Sequence, residues 1–154
     1  MKFSLTILAF LVFTICNAQK INPKYEIDKR CYSLGQQQSL NACLSEKAEK
    51  LEQIVEEKYS CILNYLQKEI EACAKEKCED LNEYTEHKNN LIGSQETWRV
   101  LKKQNAKFWS DGSGSVANQY IAESIIKDCK DRLVWLDNVI EEEVQGQTAI
   151  IKCE

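Results

Sequence analysis

Eight cysteines and a single histidine, His87, are the side chains of this chain best suited to covalent or metal chemistry. Cysteines can serve as metal ligands, as nucleophiles or as disulfides, and their spacing discriminates among these. A zinc site is expected to draw on paired Cys-x-x-Cys or nearby His ligands. No such pair occurs here, and no cysteine pair brackets His87 on its helix as a secreted phospholipase would need. His87 lies between Glu86 and Lys88, the setting of an exposed helix face. The acidic runs Glu56-Glu57 and Glu141-Glu142-Glu143 read as solvated helix faces rather than paired catalytic carboxylates. The residues therefore predict no catalytic site, no metal and no cofactor. The cysteines are left as disulfides.

The N-terminus supports that choice. Lys2 precedes an almost unbroken apolar run from Phe3 to Ile15, and Cys16-Asn17-Ala18 offers small residues for cleavage. This pattern predicts a secretory signal peptide over 1–18, too short for a membrane anchor. Lipidation of Cys16 is the competing reading, and the bulky Ile15 before it argues against that. Export to a periplasmic or secreted location places the other seven cysteines where disulfides persist. These are Cys31, Cys43, Cys61, Cys73, Cys78, Cys129 and Cys153, and an odd number leaves at least one outside intrachain pairs.

The spacing suggests three pairs. Cys31 and Cys43 are close in sequence with Ser33-Leu34-Gly35 between them to bend. Cys73 and Cys78 on one continuous helix would sit about 140° and 7.5 Å apart, too far to bridge, but a turn between them would permit a bond. Cys61 and Cys129 fall on or beside apolar stripes of different helices and could clamp them together. Cys153 is then the spare.

What positions these residues is helical. Gly and Pro are scarce, 5 and 1 in 154 residues, and apolar residues recur with a period near 3.6. The first stripe runs Leu44, Ala48, Leu51, Val55, Tyr59, Ile62, Leu66, Ile70 and Cys73. A second runs Leu81, Tyr84, Leu91, Gln95, Trp98, Leu101 and Phe108. A third runs Tyr120, Ile121, Ile125, Cys129, Leu133, Leu136 and Ile140. An uninterrupted helix from 44 to 109 would be about 100 Å long, so a turn is expected near 75–79. Asp80 and Glu83 form a potential capping box for the helix that follows it. Ser110-Asp111-Gly112-Ser113-Gly114-Ser115 is the strong loop signal, with Ser115 placed to cap the third helix. The expected fold is all-α: a small up-and-down, disulfide-stapled bundle of three main helices near 40–75, 80–109 and 115–143. A polar leader over 19–30 precedes the domain at 31–143, Gly146 marks the end of the third helix, and a C-terminal tail spans 144–154.

The formal net charge is −4, and losing Lys2 with the signal makes the mature chain slightly more acidic. Nucleic acid and anionic membrane surfaces need a cationic face and are disfavoured as partners. A cationic protein is favoured. Trp98 and Trp135 fall on or beside the stripes and are expected to pack. Trp109, next to the loop, is the best candidate for an exposed anchor, although packing is its default as well.

Several of these residues together resemble the LprI-type lysozyme-inhibitor family. Cys31 and Cys43, followed by Glu52 and Tyr59, match the opening of that pattern. Leu91 with Gln95-x-x-Trp98, the Gly112–Ser115 stretch, and Arg132-x-x-x-Leu136 match its later parts. The likeness spans roughly residues 28 to 140. It implies a helical, disulfide-stapled domain with a bridge between Cys31 and Cys43, and an exported protein that blocks a cell-wall hydrolase without catalysis. The chain departs from the pattern at Glu56, where many members carry Asn. It departs again at Ala106 and Ser124, where the family often has cysteines; Cys61 with Cys129 is the expected replacement. The segment between Tyr59 and Gln95 is also longer than usual. The occluding element would be the loop, with Trp109, Asp111, Gly112, Ser113 and Gly114 as partner-binding residues. A structural or adaptor protein of the cell envelope is the alternative, and a carrier of a small apolar ligand a weaker third.

Overall fold

The computed structural model describes residues 29–112 and 114–145. The expected signal peptide, most of the leader, Ser113, Gly146, Cys153 and the rest of the tail lie outside the described residues. So do the side chains of Ser115 and of residues 142–145. Three helices make up the fold: α1 (Gln37–Glu76), α2 (Leu81–Ser110) and α3 (Ala117–Gln145), and each packs against the other two. A 3-10 turn, Lys29–Ser33, precedes α1, and a second, Gly114–Val116, leads into α3. The described residues hold no strand. The all-α, disulfide-stapled bundle read from the stripes is what the chain forms, with each helix within three residues of its expected bounds.

The first stripe is buried along nearly its whole length, from Leu44 to Leu66 and again at Cys73; Ile70 alone is only half-buried. Facing it are Leu91 and Trp98 of α2 and Ala122, Ile126, Cys129, Leu133 and Leu136 of α3. Ala122 and Ile126 carry the α3 stripe one position beyond the Ile121 and Ile125 of the sequence reading. The second stripe fails at its C-terminal end, because Leu101 and Phe108 face solvent. There the inward positions four and seven residues beyond Trp98 are Lys102 and Asn105, both polar. Trp135 is also exposed rather than packed in the core. Its ring lies under Arg132, with the guanidinium carbon 4.0 Å from the ring centroid.

The turn between α1 and α2 is made without glycine. Lys77 takes the left-handed conformation (φ 56°, ψ 42°), and the amides of Lys77 and Cys78 both bond to the carbonyl of Cys73. An L-residue there costs roughly 1 kcal/mol or more. The Cys73–Cys78 disulfide spans the turn, Cα atoms 5.0 Å apart, and ties its two sides together. Asp80 precedes α2 but its side chain makes no capping hydrogen bond, so the expected capping box does not form.

Cys31 is fully buried and bonded to Cys43 in the opening turns of α1, Cα atoms 5.6 Å apart. Closing a loop of this length removes unfolded-chain entropy equivalent to about 3 kcal/mol. The third expected pair does not exist. Cys129 is a free thiol with no exposed surface, and Cys61 is disulfide-bonded to a partner that is not among the described residues. Stripe position alone could not distinguish a cysteine that packs as a small apolar side chain from one that bonds, and Cys129 does the former.

Candidate functional site

A polar network joins the three helices inside the bundle. Gln95 of α2 is fully buried, and its Oε1 accepts from Arg132 Nε of α3 at 3.0 Å. Its Nε2 donates to Glu56 Oε1 of α1 at 3.2 Å. Arg132, itself buried, also donates to Ser94 Oγ at 2.9 Å. Glu56 is clamped from the other side by Arg99, whose Nε and Nη2 donate at 3.1 and 2.6 Å. Arg99 in turn sits 5.6 Å from the centroid of Tyr59. One helical turn on, Lys102 pairs with Glu52 and lies 4.5 Å from the centroid of Trp98. Trp98 donates its indole N–H to the carbonyl of Asp128 at 3.2 Å. Residues from three helices thus form one polar seam, buried at Gln95, Trp98 and Arg132 and partly exposed at Glu56 and Arg99. Lys58, buried and paired with Asp137, adds a further α1–α3 tie.

Charge inside this seam is tuned by its neighbours. The Arg99 guanidinium holds the Glu56 carboxyl below its usual range. Burial pushes Arg132 down to about 10, so it remains cationic at neutral pH, and the neutral Gln95 amide bridges it to Glu56 by one hydrogen bond on each side. Because folding lowers the Glu56 pKa, its contribution is present above the unfolded carboxylate pKa of about 4.3 and lost as pH falls through the lower folded value. Side-chain exposure of 40 % limits that contribution to less than about 1 kcal/mol. Glu56→Gln is therefore expected to flatten the acid limb of the stability curve below about pH 4.5. Urea unfolding at pH 3 and pH 7 checks this, and equal pH dependence in the variant and the wild-type chain would refute it.

The seam ties the three helices to one another; at the α2–α3 end the chain is more exposed. Asp111 caps α2, its amide bonding to the carbonyl of Lys107. Gly112 (φ 80°) and Gly114 (φ 56°) both take left-handed conformations that other residues rarely adopt, and open space surrounds each. Asp111, Gly112 and Gly114 are exposed. Asp111 is exposed and its side chain meets Lys107 at 3.4 Å, a surface pair of little energetic weight.

Beside the loop stand three exposed aromatics. Phe108 is 71 % exposed, Trp109 47 % and Tyr120 40 %. Phe108 meets Trp109 edge-on with centroids 5.4 Å apart, and Trp109 meets Tyr120 at 6.0 Å. Trp109 is thus exposed rather than packed in the core. Below the rings is a cleft of about 500 Å³ walled by Asn105, Trp109, Tyr120, Glu123, Ser124, Lys127 and Asp128. Phe108 and Tyr120 were read as core, and Asn105, Glu123 and Asp128 gave no signal of their own. Ser124, where the resembled pattern often has a cysteine, here lines an open cleft.

His87, read as an exposed helix residue, is half-buried on α2 and lies 3.9 Å from Glu83. Among the described residues no group of three or more His, Cys, Asp or Glu is placed to hold a metal ion, and no helix is long and apolar enough to cross a membrane. Set against models of known protein families, curated proteins and solved structures, the chain matches none. The class is thus defined by the fold alone, a disulfide-stapled three-helix bundle with an exposed loop and an aromatic-rimmed cleft at one end.

Proposed function

We propose that the mature protein is an exported inhibitor-type binding protein that engages a cationic, lysozyme-like cell-wall hydrolase and catalyses nothing itself. The observation that carries this reading is the α2–α3 end, where an exposed glycine loop bearing Asp111 lies beside Phe108, Trp109 and Tyr120. Soluble proteins usually bury large aromatics, and a cluster left exposed next to an exposed loop suits a protein interface. The formal charge of −4 favours a cationic partner. The LprI-type resemblance agrees with this, and the α1–α3 seam it maps onto acts as scaffold rather than contact surface. An envelope adaptor binding another protein through the same aromatics is the reading that takes over if no lysozyme is inhibited.

A turbidity assay with purified mature protein and several lysozyme classes tests the proposal. Inhibition is expected at micromolar concentration, weakening as salt rises past about 0.15 M, where the Debye length drops below about 8 Å. Asp111→Lys is expected to weaken inhibition about tenfold if the loop enters the substrate cleft, with stability changed by less than about 0.5 kcal/mol because the site is exposed. Failure to inhibit any lysozyme class would overturn the proposal.

A further inference from the structure

Among the described residues, the side-chain hydrogen bonds to two carboxylates on the cleft wall come from neutral donors. Glu123 Oε1 accepts from the Tyr32 hydroxyl at 3.0 Å and from Gln119 Nε2 at 2.9 Å. Asp128 accepts from Asn105 Nδ2 at 3.1 and 3.3 Å. The cation on the same wall, Lys127, makes its ion pair with Asp131 at 2.9 Å and acts on Asp128 only as a neighbouring charge, without a hydrogen bond. Both carboxylates are half-buried, so water screens them less than it would surface acids. Trp109 and Tyr120 line the same cleft, their ring centroids 6.0 Å apart. Carboxylates and aromatic rings lining one cleft are what a planar cation needs, since a guanidinium can stack on a ring while its N–H groups fork to a carboxylate.

We propose that this cleft receives an arginine side chain of the protein partner, stacked on Trp109 and Tyr120 and hydrogen-bonded to Glu123 and Asp128. The inference deepens the proposed function and rests on its cationic partner, but the cleft can be tested alone. Arginine fits better than lysine here, because a compact ammonium can neither stack as a plane nor reach two acceptors in a fork. The cleft volume of about 500 Å³ leaves room for the side chain together with bridging water.

The test has two arms. In the first, the mature protein is titrated with acetyl-arginine amide at constant ionic strength, and NMR follows the Trp109 indole N–H and the Asn105 side-chain amide. Saturable shifts are expected in the range of about 10 mM, weaker with acetyl-lysine amide and absent in Asp128→Asn. In the second, calorimetry measures binding to a c-type lysozyme. Glu123→Gln and Asp128→Asn are each expected to weaken it about tenfold, the loss of one charge-assisted hydrogen bond, with unchanged melting temperatures. Absence of arginine-dependent shifts up to about 100 mM, or lysozyme binding within twofold of wild type in both variants, would overturn the cleft assignment. Arginine binding without any lysozyme binding would support the cleft and sink the lysozyme reading.

Discussion

Gln95→Leu should destabilise the bundle by about 3 kcal/mol, although the two side chains are close in volume. The loss comes from what Gln95 holds. Its amide is fully buried between Arg132 and Glu56, accepting from one and donating to the other. Arg132 makes no ion pair with a described carboxylate, so this amide links its buried charge to Glu56. Removing it leaves a buried guanidinium with one donor stranded, and such a group costs more than a neutral one. Arg132→Met alone should cost a comparable amount, through the orphaned Gln95 oxygen and the lost packing on Trp135. The double variant Gln95→Leu/Arg132→Met should recover most of the loss, because an apolar pair of similar size leaves neither partner unsatisfied. Urea titrations of the two single variants and the double close the thermodynamic cycle. A coupling energy of at least about 2 kcal/mol is expected; strict additivity within about 0.5 kcal/mol would refute the bridge.

The same network shows what was legible in the sequence. Stripe spacing alone located three helices, because burial of one face every 3.6 residues is a local signal that each segment carries by itself. Gln95 even appeared in the second stripe as the polar member of an apolar series. Its reason for being there was not local. The partners Glu56 and Arg132 lie 39 and 37 residues away, and nothing in the neighbourhood of Gln95 announces them. Leu101 and Phe108 misled for a related reason. Their spacing continues the stripe, but near the end of the bundle the inward positions pass to Lys102 and Asn105, whose polar heads meet Glu52 and Asp128. A long cation can turn its stem inward and bring its charge to a partner, which composition does not reveal. The exposed loop was legible because two glycines mark it directly. The cleft below it was not, since it is built from residues of two helices that become neighbours only after folding.

In the native protein, Cys129 should react with iodoacetamide about a thousandfold more slowly than an exposed thiol at neutral pH. The thiolate is the nucleophile, and two features of Cys129 suppress it. Burial pushes its pKa up to about 12, against an ordinary thiol near 8.5, so the reactive fraction falls by about three orders of magnitude. The sulfur also lies in the apolar core with no exposed surface, so reagent must wait for the helices to part. Lys102 pulls the pKa down, but Glu52, Asp128 and Glu56 push it the other way, and desolvation dominates. Reaction in the closed bundle is thus suppressed on both counts, and labelling faster than that limit should run through opening of the bundle, where the thiol regains its ordinary pKa. Peptide mapping after alkylation without reduction should show Cys129 unmodified in buffer and fully modified in guanidinium chloride, with Cys31 and Cys43 recovered as a linked pair in both. Rapid native labelling of Cys129, or its recovery linked to Cys61, would mean that α3 does not bury this face against α1 and α2. The Gln95→Leu variant supplies the cross-check: a loss of about 3 kcal/mol should raise the Cys129 labelling rate by about two orders of magnitude if the bundle opens as a unit, because the open population grows by that factor.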